Sequence, residues 1–143
     1  MITYFDTSSI VKWFFDEPYM DLARSIKDRA TLAFTSLIAY PEVMSAMNRA
    51  WKDERCSQLE MEMVRDEFHA VWHQFKWIKI NERLMELAGQ LVFRHSLRGF
   101  DSVHLASAIT LAEQGNGIQF FFSCFDKHLN SAAQKEGFHI HDI

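Results

Sequence analysis

Four acidic residues, Asp6, Glu42, Asp101 and Asp126, are scattered through a chain of 143 residues, yet each falls at or just past a predicted junction between a strand and the helix that follows it. If one parallel sheet carries those junctions, the carboxylates converge at its C-terminal edge, where α/β folds bind ligands. Two carboxylates about 5 Å apart repel by roughly 3 kcal/mol at an effective dielectric near 20, so such a group calls for protons or a cation. All-oxygen donors suit Mg²⁺ or Mn²⁺, and Mg²⁺ usually keeps several waters and takes its remaining ligands from phosphate. Water held by such an ion is deprotonated near neutral pH and can attack phosphorus, which is the chemistry of phosphodiester hydrolysis. Taken singly, each acid is better explained by capping of a helix N-terminus, so only their convergence points to a metal.

The elements that must position these residues can be read from the pattern. Ile2-Thr3-Tyr4-Phe5 is a short apolar run that predicts a buried strand, with Asp6 at its end and Thr7-Ser8-Ser9 suited to open a helix. Ile10, Val11, Phe14 and Phe15 continue at helical spacing to Asp16-Glu17-Pro18, and a second helix is expected through about residue 29. Leu32 to Thr35 predicts a second strand, followed by a helix carrying Val43, Met44, Met47 and Trp51, with Pro41 in its first turn and Glu42 projecting there. Ser57-Gln58-Leu59-Glu60 has the capping-box pattern and leads into a stripe of Val64, Phe68, Val71, Trp72 and Phe75. Trp77 to Ile80 predicts a strand, Asn81 caps a helix with Leu84, Leu87, Ala88 and Leu91 inside, and Gly99-Phe100-Asp101 opens another that ends at Gly115 or Gly117. Gln119 to Ser123 predicts a strand, Asp126 precedes a helix ending before Gly137, and Phe138 to Ile143 alternates as an edge strand does. Strands recurring between helices predict one α/β domain over residues 1 to 143, with a parallel sheet between two helical layers.

Composition agrees with an ordinary globular core, 48% hydrophobic and 14% aromatic with 13 phenylalanines. No apolar stretch reaches membrane-spanning length and no signal pattern opens the chain, so the expected compartment is cytoplasmic. Cys56 and Cys124, without CxxC spacing, predict neither a disulfide framework nor a thiolate zinc site. A net charge of −4 disfavours sequence-independent binding of a duplex but leaves room for local, metal-mediated contact with nucleic acid. Arg94, His95 and Arg98 form a positive stretch just before Asp101, and Lys12 follows Asp6 by about a turn. These could hold a substrate phosphate, or simply serve as solvated helix-end charges. His69 and His73, one turn apart, and His139 and His141, on one strand face, are expected to be structural. The apolar hairpin from residue 36 to 75 could seat a partner or a second copy of the chain.

Asp6-Thr7-Ser8-Ser9-Ile10-Val11-Lys12, Tyr40-Pro41-Glu42-Val43 with Ser45-Ala46, Arg98 to Ala106 and Phe125-Asp126-Lys127-His128-Leu129 with Ala132-Ala133 together resemble the PIN-domain ribonucleases, most closely the VapC toxins of toxin-antitoxin pairs. The motifs cover nearly the whole chain. The resemblance implies a PIN-like three-layer α/β/α sandwich and a Mg²⁺- or Mn²⁺-dependent endoribonuclease whose acidic cluster is Asp6, Glu42, Asp101 and Asp126. It also implies an RNA substrate, a cognate antitoxin and a homodimer, with His104 packed or hydrogen-bonded in the core. The sequence departs from the family at Cys124, which stands where a Thr or Ser commonly precedes the fourth acid by two. Ser123 could supply that hydroxyl, though strand alternation aims it the other way. Two competing readings are a phosphohydrolase with Asp6 as nucleophile, against which Ser8 stands where a second acid is usual, and a non-catalytic acidic docking pocket.

Overall fold

The computed structural model describes all residues from Met1 to Ile143. Five parallel strands form one sheet: β1 (Ile2–Phe5), β2 (Leu32–Ser36), β3 (Lys76–Ile78), β4 (Phe120–Ser123) and β5 (His139–Ile140), in the spatial order β3-β2-β1-β4-β5. Seven helices supply the crossovers: α1 (Thr7–Val11), α2 (Met20–Arg29), α3 (Ala39–Lys52), α4 (Gln58–Trp72), α5 (Glu82–His95), α6 (Gly99–Gln114) and α7 (Lys127–Lys135). Alternation along β1 assigns the two layers. Tyr4 points into a core built with Leu84 and Leu91 of α5, Leu105 of α6 and Leu129 of α7, whereas Phe5 points into one built with Ile10, Ile26, Val43, Met47, Phe68 and Trp72. The expected three-layer arrangement is therefore present, with α5, α6 and α7 on one face and α1 to α4 on the other.

Register places the strand ends together. Ile2 to Phe5 pair with Phe120 to Ser123, and Ile2 to Tyr4 pair with Leu32 to Phe34. Tyr4 stacks on Phe122 across that pairing at 5.4 Å. α6 is buried on most sides through its middle, where Ser102, Ala106, Ser107 and Ala108 let it lie close to α5 and the sheet. Gly115 is its C-cap, and a side chain there would meet the Phe120 ring, since a Cβ would lie 2.7 Å from it.

Three boundaries differ from the sequence expectation. α1 stops at Val11, since Trp13 and Phe14 donate to carbonyls three residues back and tighten the chain into turns. β3 begins at Lys76 and ends at Ile78, two residues early, because its partner β2 offers only Phe34 to Ser36 for pairing. The alternating tail pairs over just His139–Ile140, at the sheet edge. Ser57 and Glu60 form the expected capping box.

Candidate active site

Asp6 stands where β1 gives way to α1. Its N–H donates to the Ser123 carbonyl at 3.1 Å, carrying the β1-β4 pairing one step further, while its side chain folds back as the cap of α1. Oδ1 accepts the Ser9 N–H at 3.0 Å and the Ser8 hydroxyl at 2.7 Å. The residue is 4% exposed. Burial raises its carboxyl above the ordinary value, against the opposing pull of His104 and of the Ser8 and Ser9 hydrogen bonds.

Glu42 projects from the first turn of α3. Its Oε1 accepts the Thr7 hydroxyl at 2.6 Å and the His104 Nε2–H at 2.7 Å. The other ring nitrogen, Nδ1, lies 2.8 Å from the Tyr4 hydroxyl and accepts from it when Nε2 carries the proton. Burial alone would raise the Glu42 carboxyl, but the hydrogen bond and electrostatic pull of His104, with the Thr7 bond, outweigh it and hold the group below its ordinary value.

Asp101 lies in the first turn of α6, and Asp126 is the N-cap of α7, its Oδ1 accepting the Leu129 N–H at 2.8 Å. One guanidinium serves both. Arg98 Nε donates to Asp101 Oδ2 at 3.2 Å, and Arg98 Nη2 lies 4.0 Å from Asp126 Oδ2. All four acids, from four different elements, line a single cavity of about 890 Å³. No three of the chain's His, Cys, Asp and Glu side chains close around one point. The donors still suit a hard divalent cation, being oxygen only, with one carboxylate buried beside others; Mg²⁺ needs one or two protein carboxylates and completes its shell with water.

A PIN domain family model matches residues 3–135. The chain belongs to the PIN-domain family. Two Mycobacterium tuberculosis proteins, ribonucleases VapC45 and VapC49, are each 29% identical to it over 136 residues, covering 95% of this chain and 92% of theirs. Among solved structures, M. tuberculosis VapC20, a sarcin-ricin loop cleaving toxin, superposes with a TM-score of 0.68 at 18% identity, over 95% of both chains. VapBC2 of Rickettsia felis, bound to a DNA fragment of its promoter, gives 0.64 at 13% identity over 99% of this chain and 98% of that one.

In this PIN domain Lys12 and Arg98 reach the cavity wall, and each is already paired: Lys12 with Glu17 at 3.2 Å, Arg98 with the acids. Arg94 is a correction. Its guanidinium is drawn to Glu136 at 2.6 Å, beside His95 at 2.8 Å, where the C-terminal end of α5 meets the C-cap of α7, away from the cavity. Ser123 is a second correction. Strand alternation turns it inward, where its hydroxyl meets that of Ser9 at 2.8 Å with 1% of the residue exposed. Cys124, next to it, closes the turn before α7: its Sγ accepts the Asp126 N–H at 3.2 Å. Ser8 completes the joint, its oxygen accepting the Phe125 N–H at 2.9 Å. His69 meets the Tyr40 hydroxyl at 2.7 Å, a packing role.

Sequence reasoning missed Arg49 and Phe100, both on the cavity wall. For Arg49 a signal existed, since it follows Glu42 by seven residues and so shares its helix face. Thr7 reads from the sequence as part of a helix-opening run and of a motif, whereas in the structure its hydroxyl anchors Glu42.

Proposed function

We propose that this PIN domain is a Mg²⁺- or Mn²⁺-dependent endoribonuclease, acting as the toxin of a toxin-antitoxin pair. The observation that carries the reading is the opening of Asp6, Glu42, Asp101 and Asp126 into one cavity whose wall also carries Lys12, Arg49 and Arg98. Carboxylates and cations side by side are what a site needs in order to hold a metal and a phosphodiester together. The resemblance to proteins named VapC ribonucleases supports RNA as the substrate, and the likeness to a VapBC2 complex supports a cognate antitoxin as partner.

Asp6, Glu42 and Asp101 would hold the principal ion, directly or through water, with Asp126 assisting or holding a second. When bound, such an ion lowers the pKa of a nearby water and neutralises charge on the phosphate. The chain's own groups do the rest. Thr7 and His104 fix the direction of Glu42 and keep it ionised, Ser8 and Ser9 fix Asp6, and the guanidinium of Arg98 is within reach of any phosphate that approaches Asp101. An Asp6 nucleophile is disfavoured, because the carboxyl is buried, bonded to two donors and shifted toward its protonated form.

The test is cleavage of RNA by the purified chain with Mg²⁺ or Mn²⁺, with EDTA, and after Asp6→Asn or Asp101→Asn. Loss of about 100-fold or more in rate on chelation and in both variants is expected. Cleavage indifferent to the chelator and to both substitutions rejects the mechanism.

A further inference from the structure

Ten large apolar side chains remain exposed, and two of them, Met85 and Phe100, stand on the wall of the acidic cavity. Phe100 is 65% exposed, immediately before Asp101 in the first turn of α6. The middle of that helix is devoted to burial, with eight of its residues buried, whereas the aromatic ring at its mouth is left in water. Phe93 is exposed more fully but does not reach the cavity.

The charges around the ring complete the pattern. Of the three cations on the wall, Lys12 is tied to Glu17 and Arg98 to Asp101, whereas Arg49 meets only the Ser45 hydroxyl, at 2.9 Å, and has no carboxylate partner. An exposed aromatic and an uncommitted guanidinium beside a phosphodiester site are the two components by which proteins hold single strands: stacking on the base and charge on the backbone. Bases inside an A-form duplex are already stacked and present no face to such a ring.

We propose that Phe100 is the stacking platform for an unpaired base of the RNA next to the scissile phosphate, with Arg49 holding a neighbouring phosphate. This rests on the ribonuclease reading above.

The test uses the full chain with Mn²⁺ and a pool of randomised single-stranded RNA oligonucleotides, from which the cut site is read. A synthetic oligonucleotide with that site is then prepared as a single strand, as a duplex, with an abasic residue at each position flanking the cut, and with a neutral methylphosphonate at each neighbouring phosphate. Phe100→Ala is expected to raise KM about tenfold, with Phe100→Leu as poor and Phe100→Tyr close to the parent, because stacking needs the ring and not merely its bulk. One abasic position should bring the parent down to the Phe100→Ala level and cost that variant nothing further. Arg49→Gln should also raise KM, and one methylphosphonate should abolish its penalty.

The proposal is overturned if Phe100→Ala or Phe100→Leu matches the parent, if every abasic substrate leaves the parent-to-variant ratio unchanged, or if the duplex is cut as fast as the single strand. It is overturned too if the loss in Phe100→Ala accompanies a changed oligomeric state on size-exclusion chromatography, which would assign the ring to an interface. A parent protein that cuts no RNA with either metal instead removes the ribonuclease reading itself.

Discussion

His104 and Glu42, 62 residues apart in the chain, share a 2.7 Å hydrogen bond, and the opposite nitrogen of the same ring lies 2.8 Å from the Tyr4 hydroxyl. The line Tyr4-His104-Glu42 runs from the buried centre of the sheet to the cavity, so the position of a site carboxylate is set from inside the core. Removing the ring strands a buried phenol and opens a void. His104→Ala should cost about 2–4 kcal/mol in chemical denaturation. A loss below 0.5 kcal/mol, well under that ~2–4 kcal/mol range, would show that the line carries no weight.

Glu42 also gives a pH signature. Its folded carboxyl lies below the ordinary value of 4.5, so the unfolded chain binds more protons over the range beneath it. The stabilisation is complete above that value and is lost as pH falls through the lower folded one. Glu42→Gln should therefore be destabilising at neutral pH, with a penalty that shrinks in acid, read from thermal melts across pH.

Asp6 has the opposite sign. Its carboxyl is raised above the ordinary 3.8, so the folded state holds the proton more tightly and the benefit present below 3.8 is lost as pH rises through the folded value. Ionising this buried carboxyl without a metal therefore works against the fold. Asp6→Asn keeps an oxygen to cap Ser9 and should raise Tm by a few degrees in EDTA, the response to a change on the order of 1 kcal/mol. Mg²⁺ should raise the Tm of the parent and leave that of the variant nearly unmoved. A lower Tm for Asp6→Asn at neutral pH would contradict this account.

Arg98 competes with any cation for Asp101 and Asp126. Arg98→Gln should tighten Mn²⁺ binding several-fold by calorimetry, equivalent to about 1 kcal/mol for so exposed a pair, while RNA cleavage falls because a phosphate contact is lost. Weaker Mn²⁺ binding in the variant would show that Arg98 orients the acids instead of opposing the metal.

Arg94 and Ser123 should affect stability without affecting chemistry. Arg94→Ala breaks a half-exposed pair with Glu136 and should cost under about 1 kcal/mol, and Ser123→Ala, which leaves the Ser9 hydroxyl without its buried partner, about 1 kcal/mol. Cleavage rates should stay within about twofold of the parent in both, as for other substitutions away from reacting groups.

The sequence by itself determined the layers and the places of the four acids at the starts of helices. Period-two and period-3.6 patterns are local, as are the caps at Asp6, Ser57, Asn81 and Asp126, and each depends on neighbours within a few residues. Even the inward turn of Ser123 follows from strand alternation. Tertiary structure alone decided what the long side chains reach. Arg94 and Arg98 are both basic residues ahead of Asp101, but the first lies in the last turn of α5 and turns to Glu136, whereas the second, past the break, caps α6 and lies between two cavity carboxylates. His104 takes its role from a strand 100 positions away, and Arg49 and Phe100 become wall residues only once α3 and α6 stand on either side of one opening. Backbone periodicity is set by bonds between near neighbours, whereas a charge or a ring finds its partner by distance in space, and the chain settles that distance only by folding.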